Sequence, residues 1–326
     1  MTNAMSNIQG GHLAASDVRV SCAARLHLGF LDLNGGLGRR FGSIGLALEG
    51  PLTRLVLRRA EVTSVRGPES ERAAQFLAII TDHLGVEDGH LLRIEEAVPR
   101  HSGLGSGTQL ALGVAAAVRR LHGFAPAPLA DAWLLQRGGR SGIGIGLFQH
   151  GGLVVDGGKG VHPALPPLLV RMNVPDSWRV LLLLDRSLEG LSGRREADAF
   201  AALAPMSATA SAELCRLLLM QALPAVAEDD QDVFGDAITR VQEIVGDHFA
   251  PAQGGRFTSQ AVAASLGTLR AAGARGIGQS SWGPTGFAFA RGDAEAGRLA
   301  GLLREKTGIE VAIRRVRNHG ADVTTG

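Results

Sequence analysis

Residues 99–109 read Pro-Arg-His-Ser-Gly-Leu-Gly-Ser-Gly-Thr-Gln, with three glycines and three hydroxyl side chains in one short stretch. Apolar patterning places this stretch between a strand over 91–98 and a helix over 110–122. Phosphate is the ligand such a loop suits. Glycine lets the backbone approach an oxyanion closely, consecutive N–H groups form a concave nest, and the next helix aims its positive end at the same point. The loop lacks the lysine of a P-loop after Gly107. It also lacks the third glycine of a dinucleotide fingerprint, because Thr108 stands there. A tight strand-to-helix connection is the plain alternative.

Two further glycine-rich stretches, over 137–160 and 276–286, bring the total to one in each third of the chain. That is more than simple connections require, and convergence on one ligand explains it. The elements that would position them read as follows. Strands fall over 18–24, 45–48, 54–58, 179–185, 287–290 and 310–316. Helices fall over 69–84, 110–122, 211–222, 233–245, 260–272 and 294–307. Arg119, Arg120 and His122 read as a solvated cationic helix end. The segment 162–175 reads as a linker, which divides the chain into a flexible tail (1–16), an N-terminal phosphate-binding domain (17–175) and a C-terminal domain (176–326). The mixture of βαβ and ββα runs predicts α+β layers.

Composition narrows the partners. With 33 basic against 31 acidic residues, 4% aromatic content and no tyrosine, neither a nucleic-acid footprint nor a base-stacking platform is present. Apolar runs such as 180–184 are too short to span a bilayer, so no membrane partner is expected. Two cysteines, Cys22 and Cys215, stand far apart without metal or redox spacing, and a reducing cytoplasmic location is expected. No zinc motif occurs.

The run Pro99-x-x-x-Gly103-Leu104-Gly105-Ser106-Gly107-Thr108 resembles the phosphate-binding motif of the galactokinase, homoserine kinase, mevalonate kinase and phosphomevalonate kinase superfamily, and 278–286 takes the place of its C-terminal glycine motif. Within it, residues 24–35, 42–48, 140–144 and 278–285 resemble the β-ribofuranosylaminobenzene 5′-phosphate synthases of methanopterin biosynthesis. The resemblance implies a ribosomal protein S5 domain 2-like N-terminal domain followed by a ferredoxin-like domain. It implies 5-phosphoribosyl 1-diphosphate and 4-aminobenzoate as substrates, carbon dioxide and diphosphate as products, Mg²⁺ as cofactor, and a homodimer. Kinases of the superfamily place an aspartate shortly after Ser-Gly in the middle region, whereas residues 141–146, Ser-Gly-Ile-Gly-Ile-Gly, have none. A hydroxyl nucleophile would lose its base there. An ATP-dependent kinase and a non-catalytic metabolite sensor remain the alternatives.

On this reading Arg25, His27 and Asp32 form the catalytic group, Asp32 orienting His27 or holding magnesium through water. Ser102, Gly103, Gly105, Ser106, Gly107 and Thr108 cradle phosphate, with Ser106 touching the metal. Arg140 clamps phosphate or carboxylate. Gln279, Ser280, Ser281, Trp282 and Gly283 close the pocket, Trp282 offering a flat face to an aromatic ring. Arg317, Asn318 and His319 are placed to reach a 5′-phosphate.

Overall fold

The computed structural model describes residues 17–162, 164–190 and 193–326, except the side chain of residue 195; the expected tail lies outside the described residues. The first half runs β1 (Val18–Asp32), β2 (Phe41–Ala60), β3 (Ser64–Arg66), α1 (Ser70–Leu84), β4 (Gly89–Glu96), α2 (Ser106–Leu121), α3 (Pro128–Leu134), α4 (Ile143–His150), β5 (Leu153–Asp156) and β6 (Leu168–Met172). The second runs β7 (Trp178–Leu184), α5 (Gly193–Ala202), α6 (Ala208–Leu217), a π-helical turn at Leu218–Ala222, α7 (Leu223–Ala227), α8 (Gln231–Gln253), α9 (Gln260–Ala271), β8 (Arg275–Gln279), β9 (Gly286–Arg291), α10 (Gly292–Lys306), β10 (Glu310–Arg315) and β11 (Asp322–Thr325).

Two sheets result. A seven-stranded sheet follows the order β11-β1-β2-β4-β3, with β5 and β6 joined through the first part of β2. The second sheet is antiparallel in the order β10-β7-β9-β8, the ferredoxin-like arrangement expected. Strand β7 shows how side chains are shared: Val180 and Leu182 enter the core between the sheets, whereas Leu181 and Leu183 face α9 and α10. The core between the sheets also takes Leu26, Leu46 and Leu153 from the first sheet and Phe234 and Phe287 from the second half, so one apolar body joins both layers. Helices α1 and α2 cover the other face of the first sheet.

The sequence reading needs several corrections here. The strand read over 18–24 continues to Asp32, and the two short strands over 45–58 are one, bending at Gly50 and Pro51. Helix α2 starts at Ser106, inside the glycine loop. Part of the expected linker is the edge strand β6. Residues 143–150 are helical despite Gly144 and Gly146, because close packing needs those glycines: a Cβ at Gly144 would lie 3.1 Å from Thr108 Cγ2, and one at Gly146 2.9 Å from Leu168 Cδ1. The continuous stretch Ala208–Ala227 is long and apolar enough to cross a membrane by length and composition. Here Leu214, Leu218, Ala222 and Ala225 turn into the protein interior.

Arg119 is not a solvated helix end. It is 9% exposed, and its guanidinium bonds both oxygens of Asp131 on α3 at 2.7–2.9 Å. Removing the partner of a buried charge costs more than the pair itself contributes. Asp131→Ala is therefore expected to destabilise the protein by about 3–5 kcal/mol in urea unfolding; a loss under about 1 kcal/mol would show that Arg119 relaxes to solvent.

Candidate active site

Strand β1 carries the site because it is irregular. Its pairing with β2 slips between Ala23 and Arg25 and again between His27 and Gly29. Val18, Val20 and Cys22 pack with α1 and α2, whereas Ala24, Leu26 and Leu28, of the same parity, pack between the two sheets. A bulge exchanges the faces in this way. It brings Arg25 to the glycine loop: the Arg25 N–H donates to Leu104 O at 2.9 Å, and a Cβ at Gly105 would lie 2.8 Å from Arg25 Nε.

The loop is wound tightly. The Ser102 hydroxyl donates to Pro99 O at 2.8 Å. Gly105 sits in the left-handed region at φ +76° as N-cap of α2, with no side chain capping the helix and no acid in its first turn. The Thr108 N–H turns back to Gly105 O at 3.2 Å, which leaves the Ser106 and Gly107 N–H groups and the dipole of α2 for an anion. Ser106, Gly107 and Thr108 form this turn, and Thr108 also packs on Gly144. On the far side of the turn, a Cβ at Gly107 would lie 2.6 Å from Arg72 Nη2 and 3.5 Å from Arg137 Nη1.

The third glycine-rich stretch locks onto this loop. The fully buried Ser280 hydroxyl accepts from the His27 N–H at 3.0 Å and donates to Gly103 O at 2.7 Å, tying β1, the loop and the second sheet together. A Cβ at Gly103 would stand 2.3 Å from Ser280 O. The Gly283 N–H donates to Ser280 O at 3.0 Å. Gln279 holds the turn from behind: its N–H donates to Gln242 Oε1 and its Oε1 accepts from the Thr258 N–H, both at 2.7 Å. Ser281 takes a left-handed φ of +55° beside the small cavity that His27 and Gln279 also line.

Trp282 departs from expectation. It is 1% exposed and stacked on Phe249 at 4.3 Å and 16°, with Phe200 edge-on at 5.2 Å. The flat face foreseen for a ligand is occupied by a core phenylalanine, as the burial value of so large a ring favours. Asp32 departs too. Its Oδ1 accepts from the N–H groups of Asn34 and Gly35 at 2.7 and 2.9 Å, so it shapes the β1–β2 turn rather than orienting His27. Arg317 spends its guanidinium on Gly320 O and Asp322 Oδ2, and its strand-end neighbour His319 lies beside Asp322.

His27 is 2% exposed. Its Nδ1 accepts from the Gly29 N–H at 3.2 Å, which places the ring proton on Nε2, a buried donor with no partner among the described residues. Burial first, and the neighbouring Arg25 second, hold its pKa well below the ordinary histidine value. Burial also lowers Arg25 to about 10, against the pull of Glu196 and Asp156. Arg140 reaches Glu196 on α5 at 2.5 Å and lies over the Phe200 ring. Asp156 is wholly buried: Oδ2 accepts from the Gly142 N–H and the Ser141 hydroxyl, and Oδ1 from the Gly158 N–H. Sequence reasoning missed Arg72, Arg137, Asp156 and Glu196. The glycine-flanked Arg137 and the Val-Asp-Gly ending of β5 carried a signal, whereas Arg72 and Glu196 sit in ordinary helical patterns.

The family model for the GHMP kinases N terminal domain matches residues 71–153, which include the glycine loop. A homoserine kinase structure from Cytophaga hutchinsonii superposes with a TM-score of 0.64 at 16% identity, covering 99% of this chain and 100% of that one. The mevalonate diphosphate decarboxylase of Staphylococcus aureus does so with a TM-score of 0.65 at 15% identity, covering 95% and 98%. These likenesses show the fold. The β-ribofuranosylphenol 5′-phosphate synthase of Archaeoglobus fulgidus is 34% identical over 325 residues, 94% of this chain and 99% of that one. Since that identity extends over nearly the whole of both chains, the chain belongs to the β-ribofuranosylphenol 5′-phosphate synthase family and has the GHMP-kinase fold.

Proposed function

We propose that the chain joins 5-phosphoribosyl 1-diphosphate to a 4-substituted benzoate, releasing carbon dioxide and diphosphate. The observation that carries this reading is the uncapped N-terminus of α2 set among Arg25, Arg72 and Arg137. The relatives' name puts a phenol in their product. A 4-hydroxybenzoate acceptor gives a phenol, just as 4-aminobenzoate gives the aminobenzene; in both, the para group makes the carboxyl-bearing ring carbon electron-rich. That carbon bonds to ribose C1 while the C1–oxygen bond breaks and its electron pair leaves with diphosphate. The ring–carboxylate bond then breaks, its electrons restore the aromatic ring, and carbon dioxide departs.

No proton has to leave the attacking carbon, so the site needs no base for it. Asp156, the carboxylate nearest the Ser141–Gly142 turn, agrees with this: its hydrogen bonds go to that turn and to Gly158. The acceptor carboxylate would meet Arg25 and Arg140, and neutral His27 would offer Nε2–H as a donor without adding charge. Among the described residues no three His, Cys, Asp or Glu side chains gather. The donor set at α2, one Ser106 hydroxyl beside an open nest, suits magnesium, which keeps waters and substrate phosphate oxygens as ligands. When bound there it would neutralise charge building on the leaving group.

Incubation with phosphoribosyl diphosphate, Mg²⁺ and carboxyl-labelled 4-hydroxybenzoate or 4-aminobenzoate is expected to release labelled carbon dioxide. ATP turnover with homoserine, mevalonate or a sugar, and no labelled gas, would overturn the reading. Ser106→Ala is expected to slow release tenfold or more, a loss of at least about 1.4 kcal/mol of transition-state stabilisation; an unchanged rate would remove Ser106 from the site. His27 gives a pH prediction. Folded, it resists protonation, while in the unfolded chain it titrates near about 6.5, so below that pH the unfolded state binds more protons. Its stabilising contribution is complete above the unfolded value and falls on acidification by up to about 1.4 kcal/mol per pH unit. Urea unfolding between pH 7.5 and 5 is expected to show a shallower acid loss in His27→Gln than in the parent, and equal slopes would mean that folded His27 protonates freely.

A further inference from the structure

The two flanks of the glycine loop carry different charge. On the Gly105 flank, Arg25 and Arg140 are matched by two carboxylates: Glu196 pairs with Arg140, and both Glu196 and Asp156 attract Arg25. On the Gly107 flank stand Arg72, Arg137 and Arg100, and among the described residues the one carboxylate paired with them is Glu69. Glu69 takes Arg72 Nη1 at 2.8 Å and Arg100 Nε at 3.4 Å. Arg72 Nη2 is thereby left facing Gly107. Among the described residues Arg137 has no carboxylate partner and its buried Nε no hydrogen bond, and its guanidinium lies over the Phe76 ring at 5.1 Å. Two guanidinium groups held together against their own repulsion, over a helix N-terminus whose glycine leaves room, form a receptor for a multiply charged anion.

Building on the proposed reaction, we infer that Arg72 and Arg137 bind the diphosphate of phosphoribosyl diphosphate over Gly107, leaving Arg25 and Arg140 for the singly charged carboxylate of the aromatic acid. The division follows from charge. Diphosphate brings several negative charges and meets the flank with an excess of two cations; the carboxylate brings one and meets a balanced flank, where it competes with Glu196. The leaving group then departs along α2 toward α1, away from Arg25 and the acceptor. Weak holding of the carboxylate also suits a group that must end as neutral carbon dioxide.

The test is titration calorimetry on the full chain with inorganic diphosphate and, separately, ribose 5-phosphate, each with and without magnesium. Diphosphate is expected to bind the parent and to bind Arg72→Met and Arg137→Met at least tenfold more weakly, with ribose 5-phosphate changed less than twofold. At position 137 methionine keeps an apolar stem on Phe76, and thermal melting checks that each variant is folded. Arg72→Lys and Arg137→Lys, which retain charge but not the fork, are expected to fall between, and they carry the test should a methionine variant not fold. Unaltered diphosphate affinity, equal loss for both ligands, or no diphosphate binding to the parent overturns the assignment. Labelled carbon dioxide release with diphosphate affinity untouched would sink this inference alone. The calorimetric pattern without any carbon dioxide release would sink the synthase reading and leave the anion site standing.

Discussion

The Ser280 hydroxyl is the contact on which the site's geometry rests. It accepts from the backbone of β1 and donates to the backbone of the phosphate loop, and its own strand end belongs to the other sheet. A hydroxyl that both accepts and donates suits this place better than an amide or a carboxylate, because one oxygen serves two backbone groups of opposite kind. The site is dry at that point, so each bond lacks competition from water. The glycines around it follow from the same closeness: the loop carbonyls and the turn carbonyls meet at distances where a side-chain carbon has no room.

The irregular pairing of β1 with β2 explains why chemistry and core can share one strand. A regular strand of this composition would send its alternate apolar residues to a single face throughout. The slip at Ala23–Arg25 lets the early residues complete the layer under α2 and the later ones the core between sheets. Arg25 is thereby partly covered against the glycine loop, and His27 is buried with its ring 4.5 Å from that of Phe30. Burial then sets their chemistry: a guanidinium that loses its proton more readily than usual, and an imidazole held neutral with its proton on Nε2.

What could be read in the sequence was local. The glycine loop and the amphipathic helices α1 and α2 rest on spacing within a few tens of residues, whereas the ferredoxin-like second half came from the family resemblance, and the meeting of the first and third glycine-rich stretches, 177 residues apart at Gly103 and Ser280, was expected only from their number. The misreadings came from tertiary context. Gly144 and Gly146 looked like loop residues because the partners that need their smallness, Thr108 and Leu168, lie in other elements. Trp282 looked available because its stacking partner Phe249 stands on α8; Asp32 is the local exception, a carboxylate whose Asn34 and Gly35 donors follow it directly in a turn. Arg72 and Glu196 had no signal at all, since a charge on a helix face reads the same whether it meets solvent or a loop that folds over it.

Strand β11 has a bearing on how the molecule is made. It pairs Val18 with Thr325 and Ser21 with Asp322, so β1 finds one of its two neighbours only after the whole ferredoxin-like unit has been synthesised. Until then β1 presents an open hydrogen-bonding edge to the cell, the kind of surface on which nascent chains cluster. The ferredoxin-like unit is in effect an insertion between the body of the first sheet and its closing edge. Chaperone occupancy during translation should therefore persist until β11 has emerged.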